Sequence, residues 1–454
     1  MGNKTSSIVH NMTEGPLVKQ LIFFALPVMA GNILQSCYTI ADMAIVGRLI
    51  GSDGLSAVGV GGILQSLILM VGLGLGLGGQ IVLAQQVGAD DRLRMKKVIG
   101  SFMTLTVIFA IAFGAVGLAL TDWLIRLLNT PDAVIAQTRN YYLVCCLGIV
   151  FIYGYNGVGA ILRGLGESRL PSVFIAIASV LNILLDYIFI ALFHMNVEGA
   201  ALATVISQGI SFLVSVWYLW KNQDRMNFEF KPVNFRLDRE STSAIIRISV
   251  PMMVYSLVMS MANMFINSNV NTYGVMASAV GGIGSKINMI VIGITTGTYT
   301  GGAAIIGQCF GAGKMHRIKR AFYVTTGMSL IVWFVAGLSM VLLAEPIFSV
   351  FTDNMEVLSM AGEYMLIDAL YFLGMSLATG PYALLNGVAA TGLEMVIGII
   401  ESLVVKVACG IFFSRWYGLY GYWIGNSVGS LTTPILVYLY FLSGSWMKRK
   451  NALQ

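Results

Sequence analysis

The sequence is dominated by long apolar segments that are separated by short polar stretches. A helix that spans a bilayer needs about 20 apolar residues, so 454 residues leave room for roughly a dozen. Backbone groups in hydrocarbon must be hydrogen bonded within the segment, which predicts an α-helix for each one. We therefore predict an all-α membrane protein with twelve transmembrane helices over Leu21–Val46, Leu55–Ala84, Val98–Leu120, Tyr141–Leu162, Leu170–Phe193, Val197–Trp220, Ala244–Tyr273, Ala277–Ile306, Ala321–Leu343, Tyr364–Leu385, Val396–Phe413 and Gly418–Leu442.

The composition agrees with a membrane protein. Charged residues make up 11% of the chain, whereas soluble proteins carry about 25%. This balance excludes a soluble enzyme and a nucleic-acid binder, and we expect neither enzymatic activity nor a cofactor. No cysteine pair has CxxC or metal-ligand spacing, so we predict small buried side chains without disulfides. The five cysteines are Cys37, Cys145, Cys146, Cys309 and Cys409.

The basic residues predict the orientation of the chain. With the N-terminus inside, 21 of the 27 Lys and Arg residues lie in cytoplasmic segments and four lie in outer loops. The remaining two, Lys286 and Lys406, lie within predicted spans. Basic residues concentrate on the cytoplasmic side of membrane proteins. We therefore expect both termini in the cytoplasm and a multi-pass protein of the plasma (inner) membrane.

The two halves of the sequence resemble each other. The longest polar stretch, residues 221–243, predicts a cytoplasmic linker between an N-lobe at 1–220 and a C-lobe at 244–454. Six predicted helices separate the copies, so both lobes share one orientation and form two pseudo-symmetric six-helix lobes. Alternating-access transport uses such symmetry, whereas a channel or a receptor does not need it. The repeated pieces include Pro27 with Pro251, Ser56-Ala57-Val58-Gly59 with Ser278-Ala279-Val280-Gly281, and Asn156-Gly157-Val158 with Asn386-Gly387-Val388.

Two carboxyl groups in the first half are the main functional candidates. Placing a charge at the bilayer centre costs at least about 2.5–3.5 kcal/mol, so a charged residue within a span is a candidate for a functional role. Asp42 and Asp186 fall late in the first and fifth spans, at matching depth. A close pair would carry a proton, or would coordinate sodium together with amide and hydroxyl oxygens. Helix packing by polar groups is the alternative. Nearby polar candidates are Asn182, Thr204, Gln35 and, deeper toward the cytoplasm, Asn156.

The second half lacks this pair and carries other charges. Asp368 lies near the outer end of the tenth span, where it is either functional or interfacial. Glu401 and Lys406 lie five residues apart, about 140° around an α-helix, and either pair or face different partners. Met259 in the Met-rich seventh span and Tyr38 in the first are candidates for an adaptable substrate cavity, with ordinary packing as the alternative.

Several motifs together resemble the multidrug and toxic compound extrusion (MATE) transporters, over essentially the whole chain. The opening motif contains Leu26-Pro27, Asn32, Gln35, Asp42 and Val46-Gly47-Arg48. The later motifs are Gln85-x-x-Gly88-Ala89, Arg163-Gly164-Leu165-Gly166-Glu167, Asn182-x-x-x-Asp186 and Val197-x-Gly199-Ala200-Ala201-x-Ala203-Thr204.

The resemblance implies an antiporter with twelve helices, two lobes and a central cavity, which exports organic cations in exchange for protons or sodium ions. It places the family's N-lobe cation site, found in a bacterial branch, on Asp42, Asn182, Asp186, Asn156 and Thr204. The acid that another branch carries in the seventh helix is missing here, and Asp368 is a candidate substitute. We expect a monomer that acts on a small organic substrate. The alternative within the superfamily is a lipid-linked precursor flippase, which the scarcity of basic residues within the spans disfavours.

Overall fold

The computed structural model describes residues 8–128, 130–226 and 228–449, which are helical and contain no strand. This confirms the all-α prediction. The helices of the first half are α1 Leu17–Leu49, α2 Ser52–Gly88, α3 Arg92–Leu127, α4 Ile135–Leu147, α5 Ile149–Gly164, α6 Arg169–Tyr187, α7 Val197–Lys221 and α8 Gln223–Met226. Those of the second half are α9 Arg239–Asn271, α10 Val275–Gly311, α11 Met315–Leu342, α12 Ala344–Ser349, α13 Met355–Gly387, α14 Thr391–Ile399, α15 Val407–Tyr417, α16 Leu419–Gly429 and α17 Thr432–Leu442.

Two π-helical segments interrupt longer helices. Ile188–Leu192 continues α6, and Ile400–Lys406 joins α14 to α15. Such segments, with hydrogen bonds from residue i to residue i+5, occur often at functional sites. Short 3₁₀ helices cover Asp132–Val134, Pro232–Phe235 and Ser445–Lys448.

The number of long spans differs from the twelve that hydropathy predicts. The described residues contain ten helices that are long and apolar enough to cross a membrane, or eleven if the bent pair α4 and α5 forms one span. The bend of 52° falls between Leu147 and Ile149. The twelfth predicted segment forms α16 and α17, each 11 residues long, and neither alone reaches the about 20 residues of a straight span.

The first compact unit contains Ala30–Met253 and residues 8–11. Its helix α2 carries a glycine-rich stretch that lies against α5. A methyl group on Gly72 would overlap the ring of Tyr153, whose hydroxyl donates to the carbonyl of Ile68. The small residue therefore lets the two helices approach closely, as small residues do in membrane bundles.

The second compact unit contains Met12–Met29 and residues 254–449. Part of its core is aromatic, with the rings of Phe322 and Phe441 stacked 4.1 Å apart. The segment before α1 is held by Arg317, whose guanidinium donates to the carbonyls of Met12 and Gly15. The start of α1 is thus fixed by charge-assisted hydrogen bonds within this unit.

The predicted linker is folded onto α3 rather than extended. The hydroxyl of Thr104 donates to the carbonyl of Phe235 (2.6 Å), and the backbone nitrogen of Asp238 donates to Ser101 (2.9 Å). Lys97 lies 3.1 Å from the carboxylate of Asp238. The backbone nitrogen and the hydroxyl of Ser241, followed by Lys97, hold the pKa of Asp238 below its usual range. These contacts fix the beginning of α9.

The five cysteines are free thiols, and they are not all buried. Cys145, Cys146 and Cys309 are buried, Cys409 is half-buried and Cys37 is exposed. Exposure of Cys37 corrects the expectation for that residue. An apolar run predicts membrane insertion, and in a bilayer an exposed side chain can still face lipid.

Candidate functional site

The carboxyl groups of Asp42 on α1 and Asp186 on α6 face each other within hydrogen-bonding range. Their residues are 9% and 0% exposed, and one oxygen of each side chain has no hydrogen-bond partner. Two carboxylates this close and this poorly solvated repel each other strongly when both are ionised. The arrangement therefore favours binding of a proton or a cation between them.

Asn182 lies between Asp186 and Thr204. The amide nitrogen of Asn182 lies 3.4 Å from the hydroxyl oxygen of Thr204 on α7. With the amide rotated by half a turn, its nitrogen donates to Asp186 (3.2 Å) and its oxygen accepts from the backbone nitrogen of Thr204 (3.3 Å). The second orientation satisfies both ends of the amide. Asn182 thereby connects the carboxyl pair to α7.

Asn156 makes a different contact from the one expected. Its amide nitrogen donates to the carbonyl of Ile152, four residues earlier on α5 (2.8 Å). Asn156 is not among the residues that line the cavity of this unit, whereas its neighbour Tyr155 is. The structure therefore brings Asp42, Asp186, Asn182 and Thr204 together and gives Asn156 a bond within its own helix.

A polar pocket that opens to solvent adjoins this group, and its empty volume of about 270 Å³ includes the solvent at its mouth. The predicted residues Gln35 and Tyr38 line it, together with Asn182 and Thr204. Sequence reasoning missed three polar residues of its wall. Their spacing is the signal that would have found them, because residues three or four apart share a helix face with Asn182 or Thr204. These residues are Ser179, Ser207 and Gln208.

The donor set suits a proton or a hard monovalent cation. Within the described ranges there is no cluster of three or more His, Cys, Asp or Glu residues that could hold a metal ion. The oxygens near Asp42 and Asp186 come from amides and hydroxyls, which hard cations such as sodium prefer.

The remaining predicted site residues lie in the second unit. Asp368 on α13 is buried and accepts from the amide nitrogen of Asn288 on α10 (2.9 Å). Met259 on α9 receives a hydrogen bond on its sulfur from Ser402. Neither residue lines the cavity beside Thr204.

Glu401 and Lys406 form a buried ion pair, with 2.8 Å between Oε1 and Nζ. Five residues of an α-helix would place them about 140° apart. They lie instead in the π-helical segment Ile400–Lys406, where residues five apart are stacked one turn above another. Thr433 donates to the other carboxylate oxygen of Glu401, and the Lys406 ammonium lies 5.7 Å from the centre of the Tyr371 ring.

Glu394 is a buried acid that the sequence reasoning missed. The predicted span began at Val396, whereas α14 begins at Thr391 and places Glu394 in its first turn. The pattern Thr391-x-x-Glu394 was the available signal, because Ser or Thr followed three residues later by Glu is typical of a helix start.

Comparison with known proteins agrees with this structure. The MatE family model matches the chain twice, over residues 27–188 and 251–412, which confirms the internal repeat. A probable multidrug resistance protein of Bacillus subtilis, YpnP, is 30% identical over 97% of this chain and 98% of its own length. The multidrug export protein MepA of Staphylococcus aureus is 27% identical over 94% of each chain.

A solved structure shows the same fold. An outward-facing multidrug resistance MATE family transporter of the MOP superfamily superimposes with a TM-score of 0.91. It is 24% identical, and the match covers 99% of this chain and 100% of that one. The repeated match over more than half of the sequence and the full-length relatives lead to one conclusion: the chain is a multi-pass membrane protein that belongs to the MatE family of multidrug and toxic compound extrusion transporters.

Proposed function

We propose that this protein is a secondary active antiporter that exports organic, drug-like cations by alternating access in exchange for protons or sodium ions. The family membership and the names of the two bacterial relatives support export of drug-like compounds. The coupling ion and the positive charge of the substrate are inferred from the chemistry of the first unit.

The observation that carries the proposal is the buried pair of Asp42 and Asp186 beside an open polar cavity. Binding of one cation or proton removes the repulsion within the pair, so ion binding stabilises the arrangement in which the two carboxyls are close. Moving a two-state equilibrium from 1:99 to 99:1 requires about 5.5 kcal/mol of differential binding. Ion binding to this poorly solvated pair contributes to such a difference, because charges interact more strongly there than in water.

The cavity wall supports a cationic substrate. Tyr38 and Tyr155 contribute aromatic rings, whose faces attract cations. The carboxyl pair adds negative charge when the coupling ion leaves. Substrate and ion would then compete for the same charge, which is the requirement for exchange.

Transport in proteoliposomes tests the proposal. Purified protein is reconstituted with a fluorescent organic cation as substrate, and a pH gradient and a sodium gradient are imposed separately. We expect substrate movement with one of the gradients. Asp42→Asn and Asp186→Asn should each abolish this movement while the protein remains folded. Asp53→Asn is the matched control, because Asp53 is an exposed aspartate at the start of α2.

Two outcomes would contradict the proposal. Failure of the wild-type protein to move the dye with either gradient would argue against cation antiport. Normal gradient-driven transport in both carboxyl variants would be consistent with antiport. It would show that Asp42 and Asp186 are not the coupling site.

A further inference from the structure

The second unit contains an acid and an amide that share one hydrogen bond and leave two oxygens without partners. Glu394 is 3% exposed and Asn386 is 0% exposed. The amide nitrogen of Asn386 donates to Oε1 of Glu394 (3.2 Å). The other carboxyl oxygen, Oε2, and the amide oxygen of Asn386 are both buried and accept no hydrogen bond.

One proton accounts for both of these oxygens. A protonated carboxyl group has an O–H donor beside its carbonyl acceptor, and a primary amide has an acceptor beside its donor. With the proton on Oε2, Glu394 can donate to the amide oxygen of Asn386 while it accepts from the amide nitrogen. An ionised Glu394 would instead be a buried charge with one hydrogen bond, which is strongly unfavourable.

Among the described residues Glu394 takes part in no ion pair, and the ammonium of Lys406 is paired with Glu401. The guanidinium of Arg449 donates to the carbonyls of Val388 and Ala389, which lie just before α14.

The polar groups of the neighbouring elements are neutral or already paired. Tyr255 from α9 interacts electrostatically with Glu394, and the elements packed against α14 also carry Tyr382 from α13, Glu401 from the π-helical segment and Thr433 from α17. The two tyrosine hydroxyls are hydrogen bonded to each other (3.1 Å), and Thr433 donates to Glu401. Asn386 and a proton are therefore the remaining partners of the Glu394 carboxyl.

The internal repeat shows that the fold does not require this acid. Asn156 and Asn386 are equivalent in the repeated Asn-Gly-Val motif. Each donates to the carbonyl four residues earlier, Asn156 to Ile152 (2.8 Å) and Asn386 to Tyr382 (2.9 Å). The asparagine therefore has the same structural bond in both copies. Only the second copy adds a buried carboxyl to its amide.

We propose that Glu394 is a second proton-binding group, which holds a proton on Oε2 against the amide oxygen of Asn386. Sodium fits this place poorly, because hard cations take about six oxygen ligands, whereas the described side chains of this pair offer two oxygens without a partner. The inference goes beyond the coupling site proposed for Asp42 and Asp186 and holds whether or not that site drives transport.

Infrared spectroscopy of the protein in lipid nanodiscs tests this directly, without substrate or gradient. The starting protein is Asp42→Asn/Asp186→Asn, so that this pair contributes no carboxylic acid signal. At neutral pH we expect a protonated-carboxyl C=O band that moves in D₂O and that is lost in Glu394→Gln. Loss of a carboxylate band in Glu394→Gln, with the acid bands unchanged, would overturn the proposal.

Three further variants test the assignment of the acid band and control for loss of folding. Glu401→Gln/Lys406→Met removes a buried glutamate that has a cationic partner, so it should remove a carboxylate band and keep the Glu394 acid band. Asn386→Ala should shift the acid band to higher frequency, because its hydrogen bonds are lost. If Glu394→Gln does not fold, Glu394→Asp serves instead: a shifted acid band supports the proposal, and an ionised carboxylate at this position contradicts it.

Discussion

The ammonium of Lys406 lies 2.8 Å from the carboxylate of Glu401, and both residues are 1% exposed. Two opposite charges that are buried together compensate each other, whereas either one alone would be an unpaired charge in a region of low dielectric constant. The family model aligns residues 27–188 with 251–412, so this pair occupies the region of the second repeat that corresponds to α6. In the first repeat, α6 carries Asp186 of the carboxyl pair. The corresponding region of the second repeat carries the buried cation Lys406.

Removing one partner of this ion pair should destabilise the protein more than removing both. We expect Lys406→Met and Glu401→Gln each to lower the free energy of unfolding by about 3–5 kcal/mol, because each leaves the partner charge buried and unpaired. The double variant should recover most of this loss. Thermal unfolding in detergent measures the three variants. Additive effects in the double variant would show that the two side chains do not depend on each other.

Asn182 and Asn156 should differ in their effect on transport. Asn182→Leu removes an amide next to Asp186, and a hydrogen bond to a charged group contributes about 1.5–3 kcal/mol. Gradient-driven efflux should therefore fall at least about tenfold. Asn156→Leu removes a bond to its own helix, so efflux per folded molecule should change less. Initial rates in proteoliposomes provide the comparison, and equal losses in both variants would place Asn156 in the coupling site.

The contact of Asp238 with the start of α9 should make stability depend on pH in the acidic range. Ser241 and Lys97 lower the pKa of Asp238, so the native state favours the ionised form. This stabilisation is present above the unfolded-state pKa of about 3.9 and is lost as the pH falls through the lower native value. As an N-cap, the side chain contributes about 1 kcal/mol.

The measurement is the difference in melting temperature between wild type and Asp238→Ala from neutral pH down to the acidic range. We expect a clear difference at neutral pH that shrinks as Asp238 becomes protonated. Asp224→Ala is the control, because Asp224 is an exposed residue of α8 in the same polar stretch. A difference that stays constant down to the most acidic pH would contradict the role of the ionised carboxylate.

Gly100 should be required for docking of the linker on α3. A methyl group at this position would overlap the carbonyl oxygen of Asn234, which belongs to the backbone and cannot turn away. We expect Gly100→Ala to expose residues 228–238 to limited proteolysis and to lower the melting temperature. Gly59→Ala is the matched control, because a methyl group there meets no atom within 4 Å. Equal protease resistance of both variants would be inconsistent with this close packing.

The sequence predicted the helical class, the repeat and the approach of Asp42 to Asp186, because hydropathy and depth follow from counting residues along helices. It did not predict features that depend on helix geometry. The pairing of Glu401 with Lys406 depends on a π-helical segment, whose wider turn has no signature in hydropathy. The bend between α4 and α5 likewise lies inside a continuous apolar run.

Glu394 illustrates a different limit of prediction from hydropathy. Apolar runs mark the part of a helix that lies in hydrocarbon, and they miss polar residues of the first turn that become buried by tertiary packing. Only contact with α13 places Glu394 beside Asn386. Asn156 shows the converse, because a polar residue within an apolar span can be satisfied by the carbonyl of its own helix.

The identical amide bonds of Asn156 and Asn386 give the two repeats a common reference point for engineering. Segments exchanged between the repeats can be aligned on this asparagine, since its amide donates to the carbonyl four residues earlier in both copies. A chimera that carries residues 386–394 in place of the corresponding part of the first repeat would transplant the acid together with its amide. Such a protein would show whether the first repeat can also hold a buried acid beside its asparagine.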